Sequence, residues 1–236
     1  MKSVFVTGGS GKLGGAIVRK MTEYGWKTAF CYNKGEERAR ALAAETGALA
    51  LQADLEDAAA VSAMTEALER DFGIPDALVN NAGRTSVMPF ALLETEDWDA
   101  AMAANLRSMF LMTHALVRGM IRRGSGAIVN MSSIAGQRLL DVPVTYATSK
   151  SGVVGFTLGL AREVARYNIR VNAVAPGMLD GGVSSNIPEQ MKEEYLRHCL
   201  AGRPGRCEEV ADVVEFLCSE RASYINAQLI HINGGI

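Results

Sequence analysis

Tyr146 and Lys150 lie four residues apart, with Ser133 thirteen residues upstream, in the stretch MSSIAGQRLLDVPVTYATSKSGVVGF. At that spacing a tyrosine and a lysine share one face of a helix, one turn apart. A phenol is a poor acid or base at neutral pH, because its ordinary pKa is about 10. An ammonium held nearby favours the phenolate and draws that value toward working pH. Such a pair can move a proton to or from a carbonyl or alcohol oxygen. Y-x-x-x-K arises by chance in many chains, so its weight comes from the motifs around it.

The first of these is VFVTGGSGKLGGAIV, where Gly9, Gly11 and Gly14 fit G-x-G-x-x-G. Glycines there permit a tight turn and a close approach of backbone to a pyrophosphate at a helix N-terminus. The motif follows an apolar run and opens an amphipathic one, the context that dinucleotide binding requires. The loop residues Gly8, Gly9, Ser10, Gly11, Lys12, Leu13 and Gly14 are thus cofactor-binding candidates. An acid about 20 residues further on would hold the ribose 2′-hydroxyl of NAD. Asn33 and Lys34 stand there instead, and Glu36 and Glu37 come slightly late. A missing carboxylate beside a cation favours the 2′-phosphate of NADP. NADPH/NADP+ is the expected cofactor, held through Lys34, Lys12 or both, with Arg38 the next cation along.

The elements that must position these groups alternate strand and helix. SVFVT, KTAFCY, ALALQ, ALVN, GAIVNM, RVNAVA and QLIHI read as short buried strands. Between them run GGAIVRKMTEYG, EERARALAAET and AAAVSAMTEALERDF, closed by Gly25, Gly47 and Gly73. Two long helical stretches follow, from about Asp97 to Ile121 and from Thr145 to Tyr167, then a late helix in EEVADVVEFLCS. Short apolar strands alternating with helices predict an α/β fold, a Rossmann-type doubly wound parallel sheet. With 236 residues and no linker, repeat or low-complexity tract, one domain over 1–236 is expected. Ligands of such folds bind at the carboxyl ends of the strands. The glycine loop, Asp54, NNAG, Ser133 and Pro176-Gly177 all follow strands there.

A net charge of −2 gives no electrostatic case for nucleic acid or an anionic membrane. Cys31, Cys199, Cys207 and Cys218 form no C-x-x-C pair, so no metal site and no disulfide framework is expected. No apolar run approaches a membrane span. The first strand starts almost at once, which leaves no room for a signal peptide and makes the cytoplasm the expected location.

Together these residues resemble the short-chain dehydrogenase/reductase family over essentially the whole chain. The matching motifs are TGGSGKLG, Asp54, NNAG at 80–83, Asn105 in MAANLRSMF, Ser133, Tyr146-x-x-x-Lys150 and NAVAPG at 172–177. Within the family the chain is most similar to bacterial β-ketoacyl-acyl-carrier-protein reductases, the C-terminal GRPGRCEEVADVVEFLCSERASYINAQLIHINGG included. The resemblance implies that Tyr146 gives its proton to a substrate carbonyl oxygen as NADPH delivers hydride to carbon. Lys150 would lower the Tyr146 pKa and bond the nicotinamide ribose, Ser133 rather than Ser132 would hold the carbonyl oxygen, and Asn105 would anchor a water leading to Lys150. Asp54 and Leu55 would meet adenine. Asn81, with Ala82 and Gly83, would line the adenosine side, and Leu179, just past Pro176 and Gly177, the nicotinamide carboxamide. It further implies a homotetramer built on the two long helices, where Met109, Phe110, Met112, Phe156 and Leu160 exceed a single stripe. An acyl carrier protein would dock near Arg122, Arg123 and Arg166, which lie one residue off the family's docking positions, held here by Gly124 and Tyr167; the alternative is that these cations serve the helix C-termini. The alternatives are a sugar, steroid or xenobiotic carbonyl dehydrogenase and a non-catalytic dinucleotide-binding protein. Three positions depart from the family pattern. Lys12 replaces a glycine, Gly181 replaces a threonine after the Pro-Gly turn, and Asn226-Ala227 replaces a frequent Thr-Gly. The pair Gly181 and Gly182 is expected to loosen its loop.

Overall fold

A computed structural model of the chain describes residues 1–85, 87–182, 184 and 188–236. Seven strands, β1 (Ser3–Val6), β2 (Lys27–Tyr32), β3 (Leu49–Gln52), β4 (Ala77–Asn80), β5 (Gly126–Met131), β6 (Ile169–Pro176) and β7 (Leu229–Ile232), form one sheet. Its order is β3-β2-β1-β4-β5-β6-β7, and every pairing is parallel. The order reverses beside β1, and the crevice over that reversal is where a doubly wound sheet binds its ligand.

Parallel strands need helical crossovers, which bury both faces of the sheet. Alternate residues of each strand divide accordingly. Val4, Val6, Val79, Val129 and Val174 pack with Ile17 and Met21 of α1 (Lys12–Glu23), Leu42 of α2 (Glu36–Thr46), and Val210 and Val214 of α8 (Cys207–Cys218). Phe5, Leu78, Ile128 and Val171 point the other way. There they meet Val61 and Leu68 of α3 (Ala58–Asp71), Met112 and Leu116 of α5 (Ser108–Arg123), and Ala161 and Val164 of α6 (Val144–Val164). Burying a side chain of this size contributes roughly 1.5–3 kcal/mol, so the two face cores dominate the fold. The central strands also carry a polar tie. Asn80 Nδ2 donates to Asn130 Oδ1 (2.8 Å) and to Thr113 Oγ1 (2.9 Å), and Asn130 Nδ2 donates to Thr157 Oγ1 (2.9 Å).

Two departures from the sequence pattern bear on the site. The run expected as one helix from Asp97 to Ile121 is α4 (Thr95–Met102), a π-helical turn (Ala103–Arg107) and α5. A further helix, α7 (Glu189–His198), was not expected at all. Half its residues are charged and none is buried, so its short apolar side, Met191, Tyr195 and Leu196, is a weak signal in sequence. Among the described residues no helix is long and apolar enough to cross a membrane.

Candidate active site

A cavity of about 1170 Å³ runs along the carboxyl ends of β1–β6. The glycine loop, the turn after β2, the NNAG segment, the β5 end and the turn after β6 all contribute to its wall. Gly14 must lack a side chain, since a Cβ there would strike the Gly8 carbonyl oxygen and come within 2.8 Å of Asn81 Nδ2. Asn81 Nδ2 in turn donates to the Thr7 carbonyl (2.9 Å), so the loop is closed against β4. Gly9 does not line the cavity. A Cβ there would enter the Phe30 ring, so this glycine lets the loop settle on β2 and its contribution is packing.

At the end of β2 the wall is Asn33, Lys34 and Arg38, and no carboxylate from that turn joins it. Glu36 is paired with Arg40 (2.6 Å) on the outside of α2. Lys12 lines the cavity on the other side of the loop. Its Nζ reaches Asp180 Oδ1 (3.1 Å) and the Asp180 carbonyl, in the turn after β6. Lys12 thus engages the turn after β6, whereas Lys34 stands in the turn after β2. Asp54 stands exposed at the rim, its Oδ1 accepting from Glu56 N (3.0 Å), with Leu55 beside it; the cap of α3 is Asp57.

The chemical end lies between β5 and α6. Lys150 is buried, and its Nζ donates to the Met131 carbonyl (2.9 Å) and sits 5.7 Å from the centre of the Tyr146 ring. Ser132 Oγ is spent on the Lys150 carbonyl (2.8 Å). Ser133 is extended, φ −162° and ψ 156°, its Oγ accepts from Ala135 N (3.1 Å), and it shares the cavity wall with Tyr146. Of the two serines, Ser133 is the one whose hydroxyl is not taken by α6. Burial raises the Tyr146 pKa, and the Ser133 hydroxyl pulls against that rise. Burial lowers Lys150 to about 8. The sequence reading had Lys150 drawing Tyr146 down. Burial is the larger effect on the phenol, and it works against the pull of Lys150.

Asn105 does not reach the cavity wall. It sits in the π turn, a distortion common at functional sites. Its Oδ1 accepts from Arg84 N (2.8 Å), and its Nδ2 donates to the Arg84 carbonyl (2.9 Å) and to Ser149 Oγ (3.1 Å). Gly83 allows this. A Cβ there would lie 2.8 Å from Asn105 Oδ1 and 3.4 Å from Lys150 Nζ. Asn105 thus clamps the NNAG segment against α6, with its amide fully engaged.

The turn after β6 brings Pro176, Gly177 and Leu179 to the wall, as expected. The unexpected helix α7 closes it. Tyr195 Oη accepts from Met178 N (3.0 Å), and only a glycine fits at 177 beneath that hydroxyl. No motif flagged Tyr195; the signal that could have found it is the i, i+4 pair Met191 and Tyr195, both on the cavity wall. Among the described residues no three His, Cys, Asp or Glu assemble as a metal group.

A family model described as Enoyl-(Acyl carrier protein) reductase matches residues 10–236. The 3-oxoacyl-[acyl-carrier-protein] reductase FabG of Staphylococcus aureus is 36% identical over 240 residues, covering 100% of this chain and 98% of the relative. The chain belongs to the short-chain dehydrogenase/reductase family. FabG of Aquifex aeolicus is 38% identical over 242 residues, covering 100% of this chain and 97% of its own. A gluconate 5-dehydrogenase of Burkholderia cenocepacia, solved in complex with NADP and tartrate, superposes with a TM-score of 0.93 at 29% identity, covering 99% of this chain and 94% of its own. Membership of the short-chain dehydrogenases and reductases makes the protein an oxidoreductase that binds a nicotinamide dinucleotide. The cavity fits that group: a glycine-rich loop at the start of α1 suits a pyrophosphate, and wall residues continue from Asp54 to Tyr146.

Proposed function

We propose that the protein reduces the ketone of a 3-oxoacyl thioester to the 3-hydroxyacyl product, with NADPH as reductant. The observation that carries this reading is that Ser133, Tyr146 and buried Lys150 line one end of the same cavity. Two hydroxyl side chains at one end of a cavity suit a single carbonyl oxygen, and an oxygen is the atom a ketone reduction must protonate. An alkene takes both its hydrogens on carbon and gives such a pair less to do. NADPH, when bound, would supply the hydride to the carbonyl carbon.

Ser133 would hold the carbonyl oxygen, and Tyr146 would donate the proton that turns it into an alcohol. The raised pKa of Tyr146 keeps that proton in place until charge develops on the oxygen. Lys150, near half-charged at about pH 8, would steady the phenolate left behind and return a proton to it. Asn105 acts at one remove, by fixing Arg84 and Ser149 around Lys150.

The residues that would hold the dinucleotide divide along the cavity. Gly8, Ser10, Gly11, Leu13 and Gly14 would face the pyrophosphate, while Lys34 and Arg38 would pair with the 2′-phosphate. Asp54 and Leu55 would meet adenine, Asn81, Ala82 and Gly83 would line the ribose side, and Pro176, Gly177 and Leu179 would border nicotinamide. The absence of a carboxylate from the β2 turn supports NADPH over NADH.

Delivery by an acyl carrier protein is the partner reading that the FabG relatives support, with the cytoplasm as its setting. Arg123 is withdrawn from the docking surface. Its guanidinium folds onto the Ile74 and Pro75 carbonyls (3.0 Å each) and Asp76 Oδ1 (3.5 Å), which leaves Arg122 and Arg166. Assembly as a homotetramer is supported by Phe110 and Leu158, 47% and 48% exposed on α5 and α6. Met109 and Met112 belong to the chain's own core, and Phe156 and Leu160 are half-buried.

The test is NADPH oxidation with acetoacetyl thioesters, a crotonyl (enoyl) thioester, sugars and cyclic ketones. Acetoacetyl thioester should turn over fastest. Preference for the enoyl thioester, or for a sugar or cyclic ketone, would overturn the substrate assignment. No turnover of any, with NADPH bound, would leave a dinucleotide-binding protein.

A further inference from the structure

Lys12 is the first residue of α1, and its ammonium stands at the positive end of the helix dipole. A cation is disfavoured there unless an anion joins it. Asp180 is that anion here, through its carboxylate (3.1 Å) and its own carbonyl. Gly181, at φ +137°, sits where a side chain would be strained, and a Cβ there would lie 2.9 Å from both Cδ and Nζ of Lys12. The two departures from the family pattern are therefore neighbours: Lys12 lies along the bare backbone at 181.

The rest of the 178–180 backbone is fastened elsewhere. Asp180 N donates to the Gly205 carbonyl (2.9 Å), Gly205 N to the Met178 carbonyl (2.9 Å), and Met178 N to Tyr195 Oη (3.0 Å). The Lys12–Asp180 pair itself is half exposed, 49% and 47% at the side chains, and a pair so wetted is held weakly. A doubly charged pyrophosphate bound at the same helix N-terminus is the stronger partner for an ammonium.

We propose that Lys12 is a positioning residue shared between two anions, Asp180 in the free protein and the cofactor pyrophosphate in the complex. Binding of the dinucleotide then releases Asp180 from the glycine loop, and the 178–182 segment and cofactor affinity are thermodynamically linked. The proposal rests on the reading that the glycine loop holds the pyrophosphate. Lys12 faces the β6 side of the loop and Lys34 the β2 side, so the exchange involves a group common to NAD+ and NADP+.

The experiment is calorimetric titration of NADP+ and NAD+ into the full chain and into Lys12→Met, Asp180→Asn, the double variant and Lys12→Arg. Lys12→Met should weaken both nucleotides by about fivefold or more, the loss of a charge-assisted contact. Lys12→Arg should hold both within about twofold of the parent, and it serves as the comparison if Lys12→Met melts abnormally. Asp180→Asn should tighten both nucleotides by about twofold or more, because the competitor is gone, and this gain should vanish in the Lys12→Met background. An equal gain in both backgrounds would mean plain repulsion between Asp180 and the phosphates and would overturn the exchange. So would weaker binding by Asp180→Asn. Loss of NADP+ alone in Lys12→Met would place Lys12 on the 2′-phosphate, again overturning it. A parent chain that binds neither nucleotide would overturn the cofactor reading itself.

Discussion

Lys150 carries its charge into the interior, where its Nζ donates to the Met131 carbonyl, and burial brings its pKa from 10.5 to about 8. At about 1.4 kcal/mol per pH unit, that desolvation costs the folded state about 3 kcal/mol wherever the amine is protonated. Lys150→Met keeps the bulk of the chain and drops the charge. Losing the bond to Met131 gives back about 1 kcal/mol, so a net gain of about 2 kcal/mol is expected at pH 7. For a domain of this size it should raise the melting temperature by about 4–8 °C. The sign with pH follows from a depressed amine: the cost is complete below about pH 8 and fades as the native lysine deprotonates, while the unfolded one stays charged up to 10.5. The advantage of Lys150→Met should therefore shrink steadily from pH 8 to pH 10. Melting followed by far-ultraviolet dichroism at pH 7 and pH 10 measures it, with turnover assayed alongside. The variant should be more stable and inactive, an active-site residue retained at the expense of the fold. A lower melting temperature at pH 7, or a difference that ignores pH, would refute the argument from desolvation.

Tyr146→Phe should cut turnover by roughly a hundred- to ten-thousand-fold and leave NADPH binding, followed by its fluorescence, nearly unchanged; turnover near the parent's would sink the acid assignment. Ser133→Ala should lower turnover well below that of the parent. Ser132→Ala, which removes the tie to the Lys150 carbonyl, should lower the melting temperature first, and steady-state rates beside melting curves separate the two. Lys34→Glu and Arg38→Glu should each raise the KM for NADPH more than that for NADH; an unchanged ratio in the double variant would move the 2′-phosphate elsewhere.

The sheet was legible because its strands are buried on both faces and read as unbroken apolar runs, from SVFVT to RVNAVA. Gly47, at φ 71°, ends α2 where its place in the sequence predicted. What escaped was whatever depends on side-chain direction or on a one-residue slip. A wide turn at 103–107 leaves the apolar rhythm of 97–121 almost intact, so one helix was the natural reading. The direction of the Tyr146 shift needs the depth of its burial, and spacing to Lys150 says nothing about depth. Lys12 and Arg123 were read as cations free to meet a ligand, because the carbonyls and carboxylates that engage them come from distant segments, Asp180 for one and residues 74–76 for the other. Gly9 fitted a ligand motif and turned out to answer to a phenylalanine.

The π turn has a consequence for how this chain can change length. A π turn holds one residue more than an α turn, so deleting Arg107 would let 95–123 close into a single regular helix. The N-terminal portion would rotate by about 100°, one residue's worth of helical turn. α4 buries no side chain, but the π turn buries Ala104 and Asn105, so the change would reach the interior. Asn105 would swing off Arg84 and Ser149, and the clamp on the NNAG segment would open. A shortened chain of this kind should melt below the parent, keep similar far-ultraviolet dichroism, and lose turnover. Length variation at this place is thus a route by which the family's scaffold can be inherited without its chemistry.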